Sequence, residues 1–320
     1  MTKVITDGLA FALPLFIIAI GGIYSERSGI TNLALEGLLG FGAFFGAMMV
    51  VIIGRSNPQL IAGKGIYLGL FFASLGGAIF SLIHALLTIR FKANQVISGV
   101  VLNILSLSLT EFLTRQINGA VFKAPSNKFQ LGVAEKISIP GLSKLPVIGF
   151  LFRDLYPFIP VIIVLALVFT YILNKTRFGM RLKAAGDNPQ AVDAAGVDVN
   201  KIRFIAIVIS GALAGVGGMS FAYSISANFS PSIYAGFGYL AIAGLIFGNW
   251  NIGPTLFSTL LFGIARSGGY QLAQVLKMSS TFSDIIMTLP YVLTLVLLIF
   301  FSKNNQAPRA LGEVYDKGKR

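Results

Sequence analysis

Long runs without a charged side chain constrain this chain more than any other feature. Windows of about 20 residues, 156–174 and 204–222 among them, contain no Asp, Glu, Lys or Arg, the mark of helices that cross a bilayer. Backbone N–H and C=O groups in hydrocarbon must pair within the segment, so helices are required in place of an open sheet. Composition agrees: 55% of the 320 residues are hydrophobic and 12% charged, with mean hydropathy +0.80. The expected fold is an all-α polytopic membrane protein with about 8–10 transmembrane helices. Spans are expected near 8–24, 29–53, 65–88, 95–117, 157–174, 204–222, 234–249, 254–277 and 284–302. They form one membrane body, 1–302, followed by a polar tail, 303–320. The apolar run from Leu9 ends at Ser25-Glu26-Arg27 without a small-residue cleavage site, so it reads as a retained first span.

Between two apolar runs lies a polar island, 175–203, with six basic and three acidic residues. The tail carries five more basic residues. Positive-inside bias puts both in the cytoplasm, and the four spans between them make the two assignments consistent. The loop at 118–156, rich in Pro, Gly, Ser and Lys, then falls outside, as does the N-terminus. That loop is also basic, but long loops translocate largely regardless of charge. Anionic lipid headgroups account for the net charge of +13 without nucleic acid. The absence of cysteine excludes disulfides and thiol chemistry. With a single histidine, a zinc site of the usual type is not expected, nor any other metal or cofactor. Sparse carboxylates also argue against a membrane enzyme.

Within the island, Asn188-Pro189-Gln190-Ala191-Val192-Asp193-Ala194-Ala195-Gly196 reads as a short capped helix. Asn188 suits the N-cap, Pro189 the first helical position and Gly196 the left-handed C′ site. A helix of about two turns is marginal alone in water, so it leans on the membrane body and shows its other face to a partner. Arg177, Arg181 and Lys183 can pair with acidic groups of that partner or with lipid phosphates. A second feature is an internal echo: Leu33-Ala34-Leu35-Glu36-Gly37-Leu38-Leu39 is similar to Leu240-Ala241-Ile242-Ala243-Gly244-Leu245-Ile246. The two stretches run in opposite directions across the membrane, as an inverted repeat requires.

Ionisable groups inside spans mark functional sites. They are Glu36, His84, Glu111, Arg115 and Arg266, of which His84 and Arg115 lie near span ends and can snorkel. Arg266, in mid-span, calls for a facing carboxylate, Glu111 or Glu36, and an Arg266–Glu111 ion pair is expected. Neutral polar residues suit a sugar or base better than full charges do. Asn32, Glu36, Asn103, Ser106 and Asn249 are therefore expected to line the substrate route, with Gln95 nearby. The same residue types also make interhelical hydrogen bonds. Gly21-Gly22, Gly76-Gly77 and Gly217-Gly218 are expected at close helix contacts.

The pattern T-R-F-G-x-x-L-x-A-A-G-D-N-P-x-A-x-x-x-A-G-V, from Thr176 to Val197, resembles the coupling segment of ABC-importer permeases of the ribose/branched-chain amino acid superfamily. Glu26-Arg27-Ser28-Gly29-Ile30-Thr31-Asn32-Leu33-Ala34-Leu35-Glu36-Gly37 is similar to the early signature of its nucleoside and simple-sugar branch. So is the stretch from Gly236-Phe237-Gly238-Tyr239-Leu240-Ala241 to Phe247-Gly248-Asn249-Trp250. The tail, Ala307-Pro308-Arg309-Ala310-Leu311-Gly312 to Tyr315, is similar to nucleoside-uptake members. Thr31 and the Asn251-Ile252-Gly253 spacing depart from the pattern. The resemblance implies a permease subunit in a bacterial plasma membrane that takes up nucleosides, or else simple sugars such as ribose. It implies three partners: a cytoplasmic ABC ATPase, a second related permease and an extracytoplasmic substrate-binding protein. Gly179, Ala184, Gly186, Asn188, Pro189, Ala191, Ala195 and Gly196 would then form the ATPase-coupling segment. The chain has no G-x-x-x-x-G-K-[ST] loop, since Gly63-Lys64 is followed by Gly65, so ATP would be held by the separate subunit. The competing class is an ion-coupled transporter, which would use Glu36 or Glu111 as its titrating carboxylate.

Overall fold

The computed structural model describes residues 2–61, 63–144, 146, 149–278, 285–286, 288–301 and 306–317. Its helices are α1 (Thr2–Arg27), α2 (Leu35–Ser56), α3 (Pro58–Ile61), α4 (Gly65–Ala85), α5 (Gln95–Ile117) and α6 (Phe158–Lys175). They continue as α7 (Arg177–Asp187), α8 (Pro189–Ala194), α9 (Val199–Phe221), α10 (Phe237–Phe247), α11 (Ile252–Val275) and α12 (Leu289–Phe301). Six of these, α1, α2, α4, α5, α6 and α9, are long and apolar enough to cross a membrane. Polar side chains set several starts. Asn94 caps α5 by accepting from Val96 and Ile97 N–H, and Asp198 caps α9 by accepting from Lys201 N–H. A short antiparallel pair, β1 (Phe129–Gln130) with β2 (Asn228–Phe229), ties the loop 118–156 to the stretch after α9.

The elements define two ends. At one, the island meets the end of α1, the start of α9 and the tail, through bonds such as Ala310 N–H to Gly186 C=O and Arg203 Nε to Ser28 C=O. At the other, the loop 118–156 joins the end of α9, where Leu131 N–H donates to Ala227 C=O. Arg55, at the end of α2, sits over the Phe122 ring at this loop end. Thus α1, α4 and α6 run toward the island end, while α2, α5 and α9 run toward the loop end.

Among the described residues, two units of helices are arranged in opposite senses. In the first, α1 is followed by α2, α4 and α5; in the second, α9 is followed by α10, α11 and α12. The centre is α1 against α9. Around it, α9 packs on α2 and α4, and α1 packs correspondingly on α10 and α11. The core windows of α1 and α9 are each 72% buried, against 28% for α5 and α6, which flank the bundle. The expected inverted arrangement is therefore present as topology. The echo is offset, because Leu33–Leu39 straddles the start of α2 whereas Leu240–Ile246 lies inside α10.

Small residues allow this packing. A Cβ at Gly215 of α9 would meet the Ala73 carbonyl of α4, and one at Gly77 of α4 would meet the Gly211 carbonyl of α9. Gly21, Gly217 and Gly218 likewise lie against neighbouring backbone or side chains, as expected for these pairs.

Two expected spans are broken. The span expected at 29–53 becomes helical only at Leu35. Residues 28–34 are irregular, and their polar groups are met by two tertiary bonds, Thr31 N–H to Gln95 Oε1 (2.7 Å) and Asn103 Nδ2 to Leu33 C=O (2.8 Å), and by a local one, Ser25 Oγ to Ile30 C=O (3.0 Å). The span expected at 234–249 is only the 11-residue α10. At 1.5 Å per residue it covers about 16 Å, roughly half a hydrocarbon core. The approach to it, 227–236, is irregular and begins in β2, whose Phe229 is buried with Phe129 and Phe44. Gly215→Val should force α9 away from α4 and cost roughly 3 kcal/mol. Thermal unfolding of the detergent-purified protein should show the loss, whereas Ala at the exposed Ile163 of α6 should leave it unchanged.

Candidate functional site

Glu36, in the first turn of α2, is the point at which the two broken segments meet. Its two carboxylate oxygens accept from Gly236 N–H (2.5 Å) and Gly238 N–H (2.6 Å), the free donors at the start of α10. A helix N-terminus favours negative charge, and a carboxylate capping it makes charge-assisted bonds. Gly236 adopts φ +93°, and a Cβ at Gly238 would collide with the Glu36 backbone, so the approach depends on both glycines. Tyr291 of α12 packs against the other side of Gly236.

Asn103 of α5 holds the opposite side. Its Oδ1 accepts from Gly37 N–H at 2.7 Å, and its Nδ2 donates to Leu33 C=O and to the Tyr239 hydroxyl at 2.9 Å. Ser106 donates to Gly37 C=O at 2.8 Å. Together these groups border a cavity of about 190 Å³ lined by Glu36, Gly40, Asn103, Ser106, Thr110 and Tyr234, among others. Asn103 lies eight residues into α5, about 12 Å from its island end, so the cavity opens along the length of a helix long enough to span a membrane. Tyr234 and Thr110 were not anticipated. The signal for Tyr234 was Ser230-Pro231-Ser232 shortly before Gly236, a turn-forming stretch that marks irregular chain where the 234–249 span was expected to begin.

The other expected pathway residues lie elsewhere. Asn32 is fully buried beneath the break and donates to Ser210 Oγ at 2.8 Å. Asn249 is at the island end, where its Oδ1 accepts from Gln306 N–H at 2.8 Å. Beside it, Trp250 Nε1 donates to the buried Glu26 carboxylate, and Arg27 Nε donates to Trp250 C=O.

The expected Arg266–Glu111 ion pair does not form. Glu111 pairs with Arg115 one turn along α5 at 2.7 Å. The Arg266 guanidinium lies over the rings of Phe11 at 4.3 Å and Phe237 at 5.4 Å. Ring faces attract a cation, and the attraction is strongest where water is excluded. Arg266 also lines a separate cavity of about 340 Å³ at the loop end with Asp7, Tyr156 and Tyr270. His84 does not snorkel: it is fully buried, with Nδ1 2.9 Å from Ser98 Oγ.

The island forms two capped helices. Thr176 caps α7 by accepting from Gly179 N–H, and Asn188 caps α8 by accepting from Ala191 N–H at 3.0 Å. Pro189 opens α8, and Gly196 follows it at φ +79°. The expected coupling residues divide by exposure. Gly179, Gly186 and Pro189 are buried, with Gly179 against the Ile172 and Leu173 carbonyls and Gly186 against the Arg27 backbone. Ala184, Asn188, Ala191, Ala195 and Gly196 are exposed and form a small-residue face. Lys183 donates to Asn174, and partial burial, reinforced by nearby Arg27, lowers its pKa.

A polytopic bundle with an inverted arrangement, broken helices at an internal cavity and a polar island at one end is the architecture of a membrane permease. Residues 4–301 match the family described as branched-chain amino acid transport system / permease component, and the chain belongs to that family. It is a multi-pass protein of the bacterial plasma membrane. It is 38% identical to the guanosine ABC transporter permease protein NupQ of Bacillus subtilis (strain 168), over 100% of this chain and 98% of NupQ. The nucleoside ABC transporter permease protein NupC of Lactococcus lactis subsp. cremoris (strain MG1363) is 36% identical, over 99% of this chain and 97% of NupC. NupB of the same strain, also named a nucleoside ABC transporter permease protein, is 27% identical over 80% of this chain and 69% of NupB. No solved structure matches the chain.

Glu36→Gln should weaken both bonds to α10 and destabilise the fold by about 2 kcal/mol, measured by thermal unfolding in detergent. Tyr234→Phe should be neutral or stabilising in the same assay, because the Tyr234 hydroxyl is buried without a hydrogen-bond partner among the described residues.

Proposed function

We propose that this chain is the membrane-spanning permease subunit of an ABC importer for nucleosides. The near-full-length similarity to the guanosine permease NupQ carries the substrate assignment. The cavity supports it: a carboxylate, an amide and hydroxyls at Glu36, Asn103, Ser106 and Thr110 can exchange hydrogen bonds with a neutral, hydroxyl-bearing solute. Most of these groups are already engaged with backbone, so they would hold a passing ligand weakly, as a conduit must.

In this reading the island faces the cytoplasm and the 118–156 loop faces outward. An ABC ATPase seats against the exposed face of α7 and α8, and an extracytoplasmic binding protein delivers substrate at the loop end. A second, related permease completes the pathway; Lactococcus lactis holds two nucleoside permease proteins that this chain resembles, which favours an unlike pair. Mechanistically, closure of the ATPase dimer displaces α7–α8 as a rigid lever. The island is continuous with α6 and α9, and α9 packs on α1, α2 and α4, so its displacement reaches the break at Glu36. The cavity then alternates between outward and inward access.

Uptake of labelled guanosine by cells expressing the transporter, with unlabelled nucleosides or ribose as competitors, tests the substrate. Competition by nucleosides alone is expected; competition by ribose alone would move the assignment to simple sugars. Ala195→Arg should abolish uptake by preventing the ATPase from seating, and normal uptake by this variant would refute the coupling role. The native chain lacks cysteine, so single Cys replacements at Asn103, Ser106 and Thr110 can be probed with a water-soluble thiol reagent. Labelling that guanosine suppresses is expected, whereas no labelling in any state of the cycle would exclude this route.

A further inference from the structure

We propose that the C-terminal segment 306–317 is a transmission strap that fastens the α7–α8 island to both helical units, so that displacement of the island is delivered to both. This rests on the coupling role proposed above. The last residues of a chain are usually poorly ordered unless something ties them down. This tail is tied at successive points to different elements. Gln306 N–H donates to Asn249 in the α10–α11 turn, Ala310 N–H to Gly186 C=O at the end of α7 (2.8 Å) and Gly312 N–H to Gly29 C=O beyond α1 (3.0 Å). Ala310 and Tyr315 are buried, at 3% and 8% exposure.

Arg203, at the start of α9, is the clasp. It is itself buried; its Nε donates to Ser28 C=O (3.1 Å) and its Nη1 to Glu313 C=O (3.1 Å), while its guanidinium lies 6.0 Å from the Tyr315 ring centre. One side chain thereby joins α9, the end of α1 and the strap. Two outer ion pairs extend the reach: Lys92 in the α4–α5 turn with Asp316 (2.9 Å), and Asp193 of α8 with Lys317 (3.9 Å). Exposed pairs contribute little individually, so the buried clasp and the backbone bonds carry the connection. Gly312 permits the path, with φ +83° and the Thr31 hydroxyl beside it. Lys92 and Ser28 belong to the first helical unit, Asn249 and Arg203 to the second, and Gly186 and Asp193 to the island. The strap bridges all three.

The test uses the complete transporter, with its ATPase and partner permease, in liposomes supplied with binding protein and labelled guanosine. Tyr315→Ala and a chain ending at Pro308 are compared with the native protein. ATPase co-purification and basal ATP hydrolysis should be unchanged, while ATP hydrolysed per guanosine imported rises roughly tenfold, within the range of coupling between distant sites. An unchanged ratio in both variants would overturn the proposal, as would loss of ATPase binding in step with uptake, which would make the tail a docking surface. If the shortened chain does not fold, Tyr315→Ala decides. Ala195→Arg in parallel separates the two proposals. Normal import by that variant removes the coupling role itself, whereas loss of import there alongside an unchanged ratio in the strap variants removes only the strap.

Discussion

A helix that begins inside a bilayer leaves several backbone N–H groups with neither an intrahelical partner nor water. In this permease the Glu36 carboxylate meets two of them, Gly236 and Gly238, with both oxygens. Much else follows from that contact. It allows α10 to be half a span, brings α2 and α10 together, and leaves room beside α5 for the internal cavity. The charge that would be costly alone in hydrocarbon is held by a helix N-terminus in place of a cation. The residue that most resembled an ion-binding carboxylate is thus occupied by backbone.

The second break, 28–34, follows the same rule with neutral groups. Gln95, Asn103 and Ser25 supply the hydrogen bonds that the helix ladder omits. These side chains serve packing and architecture together, since Asn103 both closes the break and borders the cavity. A change of shape at the cavity must therefore break or exchange bonds at the discontinuities, which makes them suitable hinges. Continuous helices, close-packed through Gly77, Gly211 and Gly215, form the frame against which they move.

Legibility differed by kind of feature. Asn188, Pro189 and Gly196 were readable as cap, first turn and C′ residue because capping is local, and the structure has each in that position. The glycine pairs were readable for a similar reason: a residue without a side chain in an apolar helix usually marks close approach. Arg266 was misread because its neutralisation is non-local. The need for compensation was evident, but its source, the ring faces of Phe11 and Phe237, comes from two other helices. Asn249 was expected on the substrate route, but it ends the 234–249 run at the island end and accepts from Gln306 N–H, a tail partner that only the tertiary structure brings near.

By itself the sequence determined that this chain is a bundle of membrane helices with a polar island at one end. Bilayer thickness and backbone hydrogen bonding leave no other outcome for uncharged windows of that length. It also determined the local signals: caps, small-residue contacts and the motifs of the family. Only the tertiary structure decided which polar groups face each other. Glu36 found the start of α10, Arg203 found the tail, and Glu111 found Arg115 in place of Arg266. Such pairings depend on which helices are neighbours and at what depth, and hydropathy carries no information on either.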